Sequence, residues 1–309
     1  MNNQLAFVFP GQGSQAVGML ADLGDNDVVK QTFAEASEAL GYDLWDLIQN
    51  DSDGKLNQTD YTQPALLASS VAVFRAWLAA NGDNPAVLAG HSLGEYSALV
   101  CAGVLSLSDG VKLVEKRGQY MQQAVPAGVG AMYAIIGLDD ATIIDCCAQA
   151  AQGQVVSAVN FNSPGQVVIA GNKDAVERAG ALCKEAGAKR ALPLPVSVPS
   201  HCALMQPAAD QLAADFDNIS FNAPQIPVIN NVDVATVDDA AAIKDALIRQ
   251  LYSPVRWTES IEKIAGMGVE NVIEMGPGKV LSGLVKRINK QLSCVSVNTA
   301  DTLTSALEG

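Results

Sequence analysis

The chain has 309 residues, 49% of them hydrophobic and 17% charged, which allows a sizeable apolar core and argues against disorder. The formal net charge of -14 argues against binding to nucleic acid or to an anionic membrane. No apolar run is long enough to span a bilayer, and the start, MNNQLAFVFPGQGSQ, lacks a basic segment followed by a long apolar one, so we expect a cytoplasmic protein.

Residues that commonly bind metals are scarce. The six cysteines form no C-x-x-C pair, and the chain has only two histidines. We therefore expect buried, reduced thiols and no metal site.

The first predicted elements are those of an α/β unit. Residues 5–9 (LAFVF) are expected to form a short buried strand before a glycine-rich turn, and the patterns at 28–40 and 64–81 predict helices. The apolar run PAVLAG predicts a second strand that ends just before Ser92, and helical spacing follows it. Another helix is expected in SLSDGVKLVEKRGQYMQQAV, with Ser108 as its N-cap.

A different succession of elements is predicted between about residues 128 and 198. Strand patterns in GAMYAIIGL, QVVSAVNFN, GQVVIAGN and KRALPLPVSV alternate with helical patterns in DDATIIDCCAQAA and KDAVERAGALCKEAG. The order β-α-β-β-α-β is typical of a ferredoxin-like unit. We therefore expect residues 128–198 to form a small domain inserted into a larger one made of 1–127 and 199–309.

The remainder of the chain returns to an α/β pattern. IPVINNV and NVIEMGPG are strand candidates, and helices are predicted near 240–251 and 254–267. The fold class predicted for the whole chain is α/β.

Ser92 lies in the pattern Gly90-His91-Ser92-Leu93-Gly94. G-x-S-x-G alone is a weak signal, because a chance match is expected in roughly one of ten chains of this size. Its position between a predicted strand and a predicted helix is typical of a nucleophile elbow, which exposes the serine oxygen at a helix N-terminus. The Leu93 N–H can then donate to an oxyanion.

The two histidines are His91 and His201, and one of them has to be the base if Ser92 is a nucleophile. Adjacent residues leaving a strand point in different directions, so we interpret His91 as a packing and hydrogen-bonding residue beside the turn. His201 follows the last strand of the predicted insert, where a loop can present a base to a cleft. We therefore predict that His201 is the general base.

No Asp or Glu is evident as the third member of a triad, and no histidine follows His201, which speaks against an ordinary esterase or lipase. Arg117 shares an apolar helix face with Val114 and Met121. Taken alone, such an arginine is expected to snorkel to the surface. If its helix adjoins the cleft, it could instead bind a substrate carboxylate.

Several motifs resemble those of malonyl-CoA:acyl carrier protein transacylases, the loading enzymes of bacterial fatty acid synthesis. The resemblance covers essentially the whole chain. It rests on FVFPGQGSQ (7–15), QPALLASSVA (63–72), GHSLGEYSAL (90–99), KRGQYM (116–121), NFNSPGQVVIAG (160–171), VPSH (198–201), QLYSPVRW (250–257) and EMGPGKVLSGL (274–284).

The resemblance implies an α/β-hydrolase-like large domain carrying the ferredoxin-like small one. It implies that Ser92 is acylated, that His201 is the base and that Arg117 binds the malonyl carboxylate. It also implies an oxyanion hole formed by the N–H groups of Gln12 and Leu93. The histidine would be oriented by the main-chain carbonyl of Gln250 rather than by an acid, and no bound cofactor is implied, malonyl-CoA being the substrate.

One departure concerns the choice of acyl group. In related polyketide acyltransferases, phenylalanine before the histidine accompanies malonyl and serine accompanies methylmalonyl, and this chain has Ser200. Leu93 after the nucleophile points toward malonyl. The chain is more similar to the stand-alone fatty acid enzymes, so we expect malonyl.

The partner implied by the resemblance is acyl carrier protein, which is itself acidic and would be repelled by a chain of charge -14 unless a basic patch intervened. The candidates for that patch, each of which could also be an ordinary solvated charge, are Lys184, Lys189, Arg190, Lys279, Lys286, Arg287 and Lys290. We expect a monomer.

Three other interpretations remain open on the sequence. A thioesterase or esterase would share Ser92 and His201 but has no obvious use for Arg117. A non-catalytic acyl-CoA-binding or scaffold protein would use Ser92 only as a turn residue. A trans-acting polyketide acyltransferase would share the chemistry and differ in its carrier protein.

Overall fold

Two separate β-sheets organise the chain in the computed structural model, which describes residues 2–196 and 198–308. The strands are β1 (Asn2–Phe9), β2 (Pro85–Gly90), β3 (Gly130–Ile136), β4 (Val156–Ser163), β5 (Gln166–Asn172), β6 (Arg190–Pro193), β7 (Val228–Ile229), β8 (Asn271–Met275) and β9 (Ser293–Val297). The α-helices are α1 (Asp27–Leu40), α2 (Leu44–Asn50), α3 (Thr59–Ala79), α4 (Leu93–Cys101), α5 (Leu107–Ala124), α6 (Asp140–Ala151), α7 (Lys173–Glu185), α8 (Gln206–Asp215), α9 (Ala240–Gln250), α10 (Trp257–Gly266), α11 (Val280–Ile288) and α12 (Ala300–Glu308).

The larger sheet is parallel, with strand order β7-β2-β1-β8-β9. Its central strand β1 is buried on both faces, as expected for a parallel sheet covered by helices. Phe7 and Phe9 pack into one core, and the intervening Ala6 and Val8 pack into a second core on the other face. The parallel pairing of Phe9 with Gly90 places the carboxyl end of β1 beside that of β2, where Ser92 follows.

The smaller sheet is antiparallel, with strand order β4-β5-β3-β6. Together with α6 and α7 it gives the predicted order β-α-β-β-α-β, and it has an apolar core of its own around Ile135 and Ile169. The predicted fold class, an α/β-hydrolase-like large domain with a ferredoxin-like small one, is confirmed. The boundaries at 127/128 and 198/199 stay a prediction, and Met1, Ser197 and Gly309 lie outside the described residues.

Two local predictions differ from the structure. The strand expected across KRALPLPVSV ends at Pro193, since Pro193 and Pro195 have no N–H with which to extend a ladder, and Ser197 within that pattern lies outside the described residues. The N-cap of α5 is Ser106 and not Ser108, because the Ser106 hydroxyl accepts the Asp109 N–H at 3.0 Å. That cap starts the helix at Leu107.

The described residues contain no helix that is both long enough and apolar enough to cross a bilayer.

Candidate active site

Ser92 lies at the sharp turn between β2 and α4, with φ 52° and ψ −108°, a conformation that residues with side chains rarely adopt. The flanking glycines are sterically required. A Cβ on Gly90 would lie 1.9 Å from the main-chain carbon of Gly94, and a Cβ on Gly94 would lie 2.0 Å from the Phe9 carbonyl oxygen. The two glycines thus let the turn pass close to β1 and expose the serine hydroxyl.

Asn231, which follows β7, holds this turn in place. Its Oδ1 accepts the Ser92 N–H at 2.8 Å, and its Nδ2 donates to the Gly90 carbonyl at 2.7 Å. The Ser92 amide is therefore already engaged and is not a donor for the substrate.

His201 is the histidine that contacts the serine. Its Nε2 lies 2.8 Å from the Ser92 hydroxyl oxygen, and its Nδ1 lies 2.7 Å from the Gln250 main-chain oxygen. A carbonyl can only accept, so Nδ1 carries the proton and Nε2 is left as the acceptor for the serine hydroxyl. Burial lowers the pKa of His201 to about 3, with the positive charge of Arg117 acting in the same direction. The imidazole is therefore neutral at neutral pH.

His91 faces a different set of partners. Its Nε2 lies 2.7 Å from the Asn162 Oδ1, and its ring packs against Trp257 with 5.5 Å between centroids. These contacts agree with the interpretation of His91 as a packing and hydrogen-bonding residue.

Arg117 is buried, at 1% exposure, so the snorkelling alternative is wrong. Its guanidinium donates to the Gln63 Oε1 at 2.8 Å, the Gln250 Oε1 at 2.9 Å and the Ser92 hydroxyl at 3.3 Å. Within the described part of the chain it forms no salt bridge, and its Nε has no hydrogen-bond partner. A positive charge held only by neutral groups therefore lies beside the serine.

A cleft of about 200 Å³ opens over Ser92 and His201. Gln12 and Leu93 both line it, and neither main-chain N–H has an acceptor among residues 2–196 and 198–308. Leu93 is the first residue of α4, where the helix dipole favours negative charge. Ser200 also lines this cleft. The structure thus brings the predicted oxyanion donors to the serine, and their role stays a prediction.

The predicted basic patch is split between the small sheet and α11. Lys189 and Arg190 are exposed at β6, and the Lys189 stem packs beside Gly137 next to the β4–β5 turn. Arg287 of α11 donates to the Oε1 of Gln166, the first residue of β5 after that turn, at 2.6 Å. These three cations therefore lie along one stretch of surface.

The other four predicted patch residues are also exposed. The Lys184 ammonium donates to the carbonyls of Ala188 and Lys189, at 3.1 and 3.0 Å, and so closes the end of α7. Lys279 and Lys290 flank the two ends of α11, and Lys286 lies in its last turn.

Several polar residues that build the site were not predicted. Gln63 holds Arg117, Asn231 holds the serine turn, and Glu95 and the side chain of Gln250 join these groups. Each is at most 2% exposed. The sequence did carry one signal for such residues, a polar side chain within an apolar segment, as in QPALLASS and GEYSALV. A buried polar group needs a hydrogen-bond partner, so this pattern indicates a polar network.

Metal-ligating residues do not cluster in the described ranges: no three or more His, Cys, Asp or Glu side chains are placed to hold an ion.

Comparison with known proteins identifies the family. A family model described as acyl transferase domain matches residues 6–304. The malonyl CoA-acyl carrier protein transacylase of Salmonella typhimurium is 65% identical over 305 residues, which cover 98% of this chain and 99% of the relative. The chain belongs to the malonyl-CoA:acyl carrier protein transacylase family.

A more distant transacylase and a solved structure agree with this assignment. The Bacillus subtilis transacylase is 46% identical over 308 residues, covering 99% of this chain and 97% of the relative. The crystal structure of an acyl carrier protein S-malonyltransferase from Vibrio cholerae has 70% identity and a TM-score of 0.97, covering 98% of this chain and 99% of that one.

A second structural neighbour is a malonyl-transacylase in complex with its type II PKS acyl-carrier protein, with 62% identity, a TM-score of 0.97 and 99% of each chain covered. Membership of the transacylase family makes the chain an acyltransferase and argues against the hydrolase and non-catalytic interpretations.

Proposed function

We propose that this transacylase moves a malonyl group from malonyl-CoA to the phosphopantetheine thiol of acyl carrier protein, through a malonyl ester on Ser92, for fatty acid synthesis. The observation that carries the proposal is the position of the Ser92 hydroxyl, 2.8 Å from the His201 Nε2 and 3.3 Å from the Arg117 Nη2. A nucleophile, a base and a carboxylate-binding cation converge on one oxygen atom.

The first half-reaction forms the acyl-enzyme. His201 accepts the hydroxyl proton at Nε2 while the serine oxygen attacks the thioester carbonyl. The oxyanion of the tetrahedral intermediate accepts hydrogen bonds from the N–H groups of Gln12 and Leu93, which have no other acceptor among the described residues. The C–S bond then breaks, and CoA leaves as a thiol with the proton from His201.

The second half-reaction transfers the malonyl group to the carrier. The phosphopantetheine thiol enters the same cleft, and His201 takes its proton as the sulfur attacks the ester carbonyl. The C–O bond to Ser92 breaks, and the serine oxygen recovers the proton from His201. The main-chain carbonyl of Gln250 fixes the imidazole tautomer that both steps require.

Arg117 selects the malonyl group in this proposal. The guanidinium is buried, carries no salt bridge within the described ranges and has an unpartnered Nε. A malonyl carboxylate entering the cleft gains charge-assisted hydrogen bonds that an acetyl group cannot form. Together with Leu93, this supports malonyl despite Ser200.

The carrier protein docks, in this proposal, on the surface that includes Lys189, Arg190 and Arg287. These cations are exposed and border the β4–β5 turn, in a chain whose net charge is -14. Residues 128–198, the proposed inserted domain, supply one wall of the cleft through Met132 and Asn160. We further propose that the enzyme acts as a monomer in the cytoplasm and needs no bound cofactor.

Intact-protein mass spectrometry tests the proposed function. Wild-type protein and Ser92→Ala are exposed briefly to malonyl-CoA and then to holo acyl carrier protein. We expect a malonyl adduct on wild type alone that the carrier thiol removes. An adduct released only by water contradicts the transfer step, and an adduct on Ser92→Ala contradicts the nucleophile.

A further inference from the structure

The carboxyl group of Glu95 is buried directly behind the nucleophile, in the first turn of α4. It is 2% exposed and belongs to none of the ion pairs in the described part of the chain. Its Oε2 accepts the Asn231 main-chain N–H at 2.9 Å and the Gln250 Nε2 at 2.8 Å. A carboxylate buried this deeply destabilises the fold unless its hydrogen bonds compensate, so its contacts are informative.

The contact with Gln250 determines which way that side-chain amide faces. The Gln250 NH₂ donates to the Glu95 Oε2 and, at 3.0 Å, to the Ser92 carbonyl, which can only accept. The amide oxygen is therefore turned toward Arg117, whose Nη2 donates to it at 2.9 Å. The reversed amide would place its NH₂ against a guanidinium that has only donors.

This arrangement supports Arg117 without neutralising it by direct contact. Two amide oxygens, from Gln63 and Gln250, hold the guanidinium. A carboxylate in their place would occupy the fork that a substrate carboxylate needs. Glu95 lies one amide further back, so it occupies none of the guanidinium N–H groups, and the Nε stays without a partner among the described residues.

We propose that Glu95 is a positioning residue for acyl-group selection: it fixes the Gln250 amide, which in turn holds Arg117 where the acyl carboxylate arrives. This inference rests on the malonyl transfer proposed above. Glu95 itself does not contact the acyl group.

The test compares malonyl and acetyl transfer to Ser92 in the full-length protein. Initial acylation rates with malonyl-CoA and acetyl-CoA are measured by rapid quench and intact mass for wild type, Glu95→Ala and Glu95→Gln. A glutamine oxygen can still accept from both Asn231 and Gln250. We expect the malonyl-to-acetyl rate ratio to fall about tenfold or more in Glu95→Ala and to return to within about threefold of wild type in Glu95→Gln.

The malonyl-to-acetyl rate ratio distinguishes a positioning role of Glu95 from a purely structural one. A smaller folded fraction lowers the malonyl and acetyl acylation rates equally and leaves their ratio unchanged. Equal losses in Glu95→Ala would show that Glu95 serves the fold alone and would overturn the proposal. A loss in Glu95→Gln as large as in Glu95→Ala would overturn it too, since charge rather than hydrogen bonding would then be responsible.

If Glu95→Ala does not fold, Glu95→Asp gives the same comparison. The side chain is shorter by one methylene and loses its reach to Gln250, so the ratio should again fall, and a wild-type ratio would overturn the proposal. Wild-type protein without a preference for malonyl would instead contradict the proposed function.

Discussion

The Nδ1 of His201 donates to the main-chain carbonyl of Gln250 at 2.7 Å, so the group that orients the histidine is one that no side-chain substitution removes. A serine hydrolase usually places an acid there. Here the end of α9 supplies the acceptor, and no carboxylate has to be buried against the imidazole Nδ1.

Replacing Gln250 by alanine should therefore leave the base working. We expect acylation by acetyl-CoA, which needs no carboxylate contact, to slow by no more than about tenfold, against about 10⁴-fold when a triad acid is lost. Single-turnover acylation measured by intact mass checks this, with His201→Ala as the comparison that should lose about 10³-fold or more. A loss in Gln250→Ala as large as in His201→Ala would contradict the main-chain role.

Removal of the Arg117 side chain should change the preference for malonyl over acetyl more than it lowers the overall rate of acyl transfer. Hydrogen bonds to a charged group contribute about 1.5–3 kcal/mol each, so Arg117→Ala should lower the malonyl-to-acetyl ratio of kcat/KM by about 10- to 100-fold. Arg75→Ala is a matched control, because Arg75 pairs with Glu35 on α1, away from the cleft. An unchanged ratio in Arg117→Ala would remove its assignment as the carboxylate ligand.

Protonation of His201 should not slow acylation at mildly acidic pH. The pKa of His201 is lowered to about 3, so the imidazole stays neutral as pH falls from 8 to 5 and protonates only near pH 3. A histidine with the ordinary pKa near 6.5 would lose about 30-fold of its neutral form by pH 5.

Rapid-quench acylation across pH 5–8 measures this, and a 30-fold decline would contradict the lowered pKa. The buried Glu95, whose pKa burial raises to about 7, also titrates in this range. Repeating the series in Glu95→Gln removes that second titration.

Charge reversal on the proposed docking surface should change the KM for acyl carrier protein and leave the reaction with malonyl-CoA unchanged. Arg190→Glu and Arg287→Glu should each raise the KM for acyl carrier protein several-fold, more at low salt, because complementary charge mainly steers encounter. Acylation by malonyl-CoA in the absence of carrier should not change. Lys30→Glu, on α1, is the control for net charge. Equal KM values for all three variants and wild type would exclude this surface.

The large-scale architecture was predictable because its signals are local. Buried strands such as LAFVF and the alternation of strands and helices in the insert identified both sheets, and the G-x-S-x-G turn indicated Ser92 as the candidate nucleophile. The helices at Leu44–Asn50, Gln206–Asp215, Val280–Ile288 and Ala300–Glu308 were not predicted, nor was strand Ser293–Val297. Most of these elements are short, and their formation depends on packing against neighbouring helices or strands.

The supporting contacts of the site could not be predicted from spacing. Gln63, Asn231 and Gln250 are far apart in sequence and meet only because α3, the loop after β7 and the end of α9 converge behind Ser92. His201 was identified because the chain has just two histidines, whereas a glutamine or asparagine has many equivalents. Composition therefore helps to identify a site residue only when its residue type is rare in the chain.

Ser92 and His201 both have positive φ, 52° and 65°, although neither is glycine. A residue with a side chain held in such a conformation destabilises the fold by about 1–3 kcal/mol. At Ser92, whose side chain is small, glycine would relieve the strain and leave little empty space. A selection for heat resistance alone would therefore enrich chains that have lost Ser92, the proposed nucleophile. Stabilised variants of this protein therefore have to be screened for acyl transfer at the same time.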